Sequence, residues 1–134
     1  MREVAHVGAG DFTAGQRRQM QDAVNLARQI CGIAFGIRIG ALPNGRASAV
    51  AAHAEMASAS RSVLVAVDQD AHCVEIVTGT EAAVHLDDAA CELAVLAMIT
   101  AFEAGDLVGG LRSGLTLMAE HARAPQVLFQ DEPA

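Results

Sequence analysis

Ser62 to Gly79 reads SVLVAVDQDAHCVEIVTG, and the way these eighteen positions divide decides the fold. SVLVAV, Ser62 to Val67, is a short, uninterrupted, Val-rich run with no polar alternation, the pattern of a strand covered on both faces. Asp68 to His72, DQDAH, supplies a polar turn, and CVEIV, Cys73 to Val77, resumes as a second strand that stops at Thr78-Gly79. A link this short joins neighbouring strands as an antiparallel hairpin.

Upstream, Thr13 caps a helix whose stripe is Met20, Val24, Ala27 and Ile30 and which Gly32 stops. Ile33 to Gly40, IAFGIRIG, reads as a strand closed by the turn chemistry of Leu42 to Gly45. Arg46 to Ala59 is Ala-rich, free of Gly and Pro, and suits a helix laid over a sheet face. Downstream, Asp87 or Asp88 caps a helix with almost no polar face from Ala90 to Phe102, which predicts a central, buried helix. Gly105 ends it, and Leu107, Leu111, Leu115, Met118 and Ala122 mark the buried stripe of a last, amphipathic helix. Pro125 predicts its end, with Val127 to Phe129 as a short edge strand or docking segment and the final residues frayed. The expected organisation is a flexible segment over 1–12, one domain over 13–124 and a tail over 125–134. The element order predicts a single α/β sandwich, a small mixed sheet with helices on both faces.

Composition narrows the function. In 134 residues that are 52% hydrophobic, sixteen acids oppose nine basic residues for a net charge of −7. That balance repels a phosphate backbone, and with neither Trp nor Tyr the chain lacks platforms for stacking bases, so nucleic acid is not an expected partner. No stretch has the apolar length of a membrane span and the start lacks a secretory core. Three widely spaced cysteines, Cys31, Cys73 and Cys91, predict small core residues in a reducing cytoplasm rather than a disulfide framework.

The sharpest chemical feature is Asp68-x-Asp70 at the end of a strand. Two carboxylates there can hold a hard cation or manage a proton, and haloacid-dehalogenase-type phosphatases begin their chemistry in this way. Here a second strand follows at once in place of a helical crossover, and His72 stands where that motif has Thr or Val. If Glu81, Asp87 and Asp88 converge with the pair, the result is an oxygen-rich pocket for Ca²⁺ or Mg²⁺, with Asp68, Asp70 and Asp87 as the expected ligands. The competing reading makes Asp68 and Asp70 turn residues and Asp87 a helix cap. The histidines form no HExxH helix, and His53-Ala-Glu55 lacks the cysteine half of a zinc deaminase site. There is no GxSxG serine, no phosphatase-type cysteine loop and, in a chain without lysine, no Walker motif. Gly109, Gly110 and Gly114 inside the last helix predict close packing.

As an ordered set, Thr78-Gly79, Asp87, Phe102, Gly105-Asp106-Leu107 and Gly110-Leu111 resemble the TPM domain, over about Ser62 to Ala122. The Ala-rich, lysine-free form looks most like the actinobacterial DUF5130 group. The resemblance implies a Rossmann-like sandwich and a function among phosphatase-like, photosystem-repair and membrane-associated accessory proteins. It departs from the family at Ser60-Arg61-Ser62, where D-x-G is common, which removes one acidic contributor to a metal pocket. The expected function is a non-catalytic binding or accessory module. The alternative is a divalent-cation-assisted, phosphatase-like hydrolase using the acidic pocket. The expected partner is a protein or a second copy of the chain, and the Ala-rich helix serves as a subunit interface or equally covers its own sheet.

Overall fold

The computed structural model describes residues 12–131. Helix α1, Ala14–Cys31, opens on a reciprocal cap: the Thr13 hydroxyl accepts from the Gln16 N–H at 3.0 Å and the Gln16 side chain accepts from the Thr13 N–H at 2.9 Å. This satisfies two donors that every helix start leaves unpaired. Gly32, at φ 82°, turns the chain into β1, Ala34–Ile39. Then come α2, Arg46–Ala54, β2, Ser62–Asp68, β3, Cys73–Thr78, α3, Asp88–Glu103, and α4, Leu107–Asp131, with single 3₁₀ turns at Ala59–Arg61 and Ala82–Val84.

The sheet runs β1-β2-β3. β1 lies parallel to β2, Ala34 opposite Ser62, and β2 pairs antiparallel with β3, Asp68 opposite Cys73 and Val63 opposite Thr78. β2 is therefore the middle strand, and Ser62 to Val67 are all buried. Strand alternation sends Val63, Val65 and Val67 into the larger core with Phe35, Ile37, Val74 and Ile76, beneath α1, α3 and α4. Leu64 and Ala66 pass to the other face, where Ala49 of α2 and Val77 complete a smaller core. Both faces being covered accounts for the uniform apolar run. His53 ties α2 to this strand, its Nε2 lying 3.0 Å from the Ser62 carbonyl oxygen.

Four expectations need correction. α2 ends at Ala54, five residues before Ala59. α3 is not central: it buries only Ala90, Ala94 and Met98, and Leu93 and Leu96 stay 57% and 63% exposed. The central helix is α4, which packs against both α1 and α3 and buries Val108, Leu111, Leu115, Met118, Ala119 and Ala122. Gly110 and Gly114 shape its contact with α3. A Cβ on Gly110 would sit 2.8 Å from the Ala101 Cβ, and one on Gly114 would overlap Met98, so α3 side chains pack into the two positions where α4 has none. Pro125 does not end α4, which continues to Asp131. Proline removes one donor but holds φ in the helical range, and Gln, Leu and Gln after it sustain a helix. The cysteines are free and half-buried rather than core residues. The expected flexible start, apart from Phe12, and the last three residues lie outside the described residues.

Candidate functional site

Because β1 and β2 are parallel, their carboxyl ends open on the same side, where open α/β sheets bind ligands. A cleft of about 300 Å³ lies there. Its walls are Val67 and Asp68 from the end of β2, Gln69, His72 and Cys73 from the hairpin turn, Ile99, Phe102 and Glu103 from the last turn of α3, and Gly105 and Leu107 from the link into α4.

Asp68 stands at this end of β2 with both oxygens engaged. Its Oδ2 accepts from the Leu42 N–H at 2.9 Å and its Oδ1 from the Ala71 N–H at 3.2 Å. One carboxylate thus pins the loop after β1 and shapes the hairpin turn, in which the His72 N–H donates to the Gln69 carbonyl at 3.3 Å and His72 sits at φ 53°. Those donors, Leu42 first and then Ala71, hold the Asp68 carboxyl below the usual carboxylate range, because they stabilise its charged form. Cys73 moves the other way. Partial burial, then Glu75 and Asp68, push its thiol up, and it donates to the Glu75 Oε2 at 3.8 Å. A thiol so placed stays protonated and is a weak nucleophile.

The three expected ligands do not come together. Asp70 lies on the exposed turn beside Asp68. Asp87 caps α3, accepting from the Ala90 N–H at 2.9 Å, with His121 Nε2 at 3.5 Å. Because the last turn of α3 borders the Asp68 cleft, Asp87 lies a sixteen-residue helix away, roughly 24 Å at 1.5 Å per residue. Glu81 is also engaged elsewhere, with Ser60 and Arg61 at 3.1 and 3.3 Å. Among the described residues no group of three His, Cys, Asp or Glu side chains is arranged to hold a metal ion.

The ordered motif has a different role. The Cβ of any residue replacing Gly79 would run into the Ala59 and Ser60 backbone, and the Gly79 N–H donates to the Ser62 carbonyl at 2.9 Å. Asp87 caps α3, Gly105 at φ 85° turns the chain between α3 and α4, and Asp106 accepts from the Gly109 N–H at 2.9 Å. Gly110 admits Phe102. Each shapes a junction between elements, and the cleft draws on the set at Phe102, Gly105 and Leu107. Residues 4–119 match the family described as Domain of unknown function (DUF5130). The chain belongs to the DUF5130 family. Two uncharacterized proteins of Mycobacterium tuberculosis, from two strains, are each 30% identical over 103 residues, 75% of this chain. The chain spans 60% of the length of those curated relatives over this match. A solution NMR structure of the N-terminal domain of a P. gingivalis protein superposes with a TM-score of 0.65 at 16% identity, covering 90% of this chain and 83% of that one. That likeness is one of fold. Among the described residues this DUF5130 chain has a three-stranded mixed sheet and four α-helices, and no helix there is long and apolar enough to cross a membrane.

Sequence reasoning marked Asp68 but missed Phe102, Glu103 and Leu107 as its neighbours. The signal was the parallel pairing of β1 with β2, which directs attention to the strand ends, and pairing is not written in either strand alone.

Proposed function

We propose that this domain is a non-catalytic binding module whose ligand site is the cleft at the carboxyl ends of β1 and β2. The observation that carries the proposal is an ionised carboxylate, Asp68, beside an apolar cleft in which no side chain is set up as a nucleophile. Its size lies at the lower end of small-molecule sites. Val67, Ile99, Phe102 and Leu107 offer an apolar body, while Asp68 and the exposed Glu103 give the mouth negative charge. That combination suits a small molecule with an apolar body and an amine or guanidine head, which the Phe102 ring also attracts.

Titration of the labelled protein with phenethylamine and agmatine, with benzoate as the anionic control, tests this by amide chemical shifts. The amines are expected to move Gln69, His72, Phe102 and Leu107, with at least threefold weaker binding in Glu103→Gln, and benzoate to move none of them. Absence of those shifts, or Mg²⁺- or Ca²⁺-dependent hydrolysis of p-nitrophenyl phosphate that is lost in Asp68→Asn, overturns the reading.

A further inference from the structure

Among the described residues β3 is an edge strand, and its backbone register shows which groups face outward. The Gly79 N–H bonds the Ser62 carbonyl across the hairpin, so by alternation Cys73, Glu75 and Val77 turn their backbone groups toward β2. Val74, Ile76 and Thr78 turn theirs away from it. One of these outward groups has a cover: the Arg46 guanidinium donates to the Ile76 carbonyl oxygen and to Glu75 Oε1, both at 3.1 Å. A charged side chain laid over a strand edge is a familiar way to discourage unwanted pairing.

Beside this edge runs a groove of about 560 Å³ between β3 and α3. The α3 wall presents Asp88, Cys91, Glu92, Val95 and Leu96, spaced i, i+3, i+4, i+7 and i+8 and therefore on one stripe. Asp88, Glu92 and Leu96 are exposed. Among the described residues Arg46 is the one basic side chain of the groove wall, and it is already paired with Glu75, which leaves Asp88 and Glu92 as unbalanced negative charge. The Cys91 thiol registers that field: burial first, then Asp88 and Asp87, push it up to about 11, with Arg46 opposing them.

We infer that β3 and the outer stripe of α3 form a docking groove for an extended segment of a partner protein whose α3-facing side, every second residue, carries both apolar residues and arginine or lysine. The outward backbone groups of Val74, Ile76 and Thr78 select an extended chain, which would add as a fourth strand. Val95 and Leu96 take its apolar side chains, and Asp88 and Glu92 select its basic ones. A second copy of this chain fits less well, because it would bring the same acidic stripe against itself in a molecule of net charge −7, and like charges in contact disfavour a partner. Arg46 must leave Ile76 for the strand to pair along its full length, so it acts as a gate on the edge.

The probe is the blocked peptide Arg-Thr-Val-Thr-Arg-Thr-Val, which in a strand turns Arg and Val to one face, with Glu-Thr-Val-Thr-Glu-Thr-Val as the charge-reversed control, titrated into the labelled full chain. Shifts are expected at the amides of Val74, Ile76 and Thr78 and along Asp88 to Leu96, with none from the acidic peptide. Binding is expected to weaken at least tenfold in Glu92→Arg and to tighten severalfold in Arg46→Ala, both substitutions of exposed side chains. No binding at millimolar peptide overturns the proposal. So do shifts confined to Gln69, His72 and Phe102, which would place the peptide in the strand-end cleft instead. Concentration-dependent dimerisation in sedimentation that the peptide does not compete away would show the groove to be an interface between copies, and also overturns it.

Discussion

α3 and α4 are consecutive helices that pack on each other, and their fates are opposite to their compositions. α3 carries a nearly unbroken apolar sequence yet keeps Leu93 and Leu96 in solvent, whereas α4, broken by three glycines and two arginines, holds Leu111, Leu115 and Met118 fully buried. Hydrophobicity determines how much surface a helix is driven to bury, while access to the sheet determines how much it can bury. At Gly110 and Gly114 α4 has no side chain of its own, and Met98, Ala101 and Phe102 of α3 fill the space, so the two helices lie close together. α3 is left at the margin, its inner stripe on α4 and β3 and its Leu93 and Leu96 exposed among the described residues.

The comparison breaks first at Leu115. Leu115→Ala is expected to destabilise the fold by about 2–5 kcal/mol, the range for a fully buried leucine, measured by urea unfolding with the slope unchanged. A loss below 1 kcal/mol would deny α4 its central role. Next is the contact between the two helices. Gly110→Ala places a methyl against Ala101 and Phe102 and is expected to cost about 1–3 kcal/mol, whereas Gly40→Ala, with open space around it, should cost little by the same assay. Equal effects at the two glycines would show that close approach of α3 to α4 is not what the glycine serves.

The start of α3 gives a smaller, pH-dependent effect. The Ala90 N–H, and secondarily His121, hold the Asp87 carboxyl below its ordinary value. A carboxyl depressed in the folded state contributes stability that is fully present above its unfolded pKa of about 3.9 and is lost as pH falls through the lower folded value. Asp87→Ala should therefore lower the unfolding midpoint at pH 7 and flatten the acid limb, while Asp87→Asn keeps the cap and loses only the acid dependence. Identical acid limbs in wild type and Asp87→Asn would remove the carboxylate from the account. The smallest effect belongs to Leu96→Ala, expected within about 0.5 kcal/mol of wild type because the side chain is mostly in water.

The hairpin was fully legible because its signal is local: SVLVAV has the burial of a middle strand in its own composition, and DQDAH fits only a turn. The caps at Thr13 and Asp87 were legible for the same reason, each needing one side chain and a backbone donor three residues on. Which apolar helix lies inside was not, since α3 and α4 compete for one sheet face and the outcome depends on glycines of one meeting side chains of the other. The acidic residues show the same limit. Asp68, Asp70 and Asp87 sit at turn and cap positions that sequence identifies correctly, but their separation by the length of α3 follows from how the hairpin and helix run in space. Pro125 misled because the rule it invokes concerns one hydrogen bond, which a helix supported along the rest of its length can forgo.

The placement of the two helices is tested most directly by the leucine methyl groups. With methyl-labelled protein and a soluble paramagnetic reagent, the Leu93 and Leu96 resonances are expected to broaden strongly while those of Leu111 and Leu115 are spared. Protection of Leu93 and Leu96 together with broadening of Leu111 and Leu115 would reverse the two helices and contradict the account.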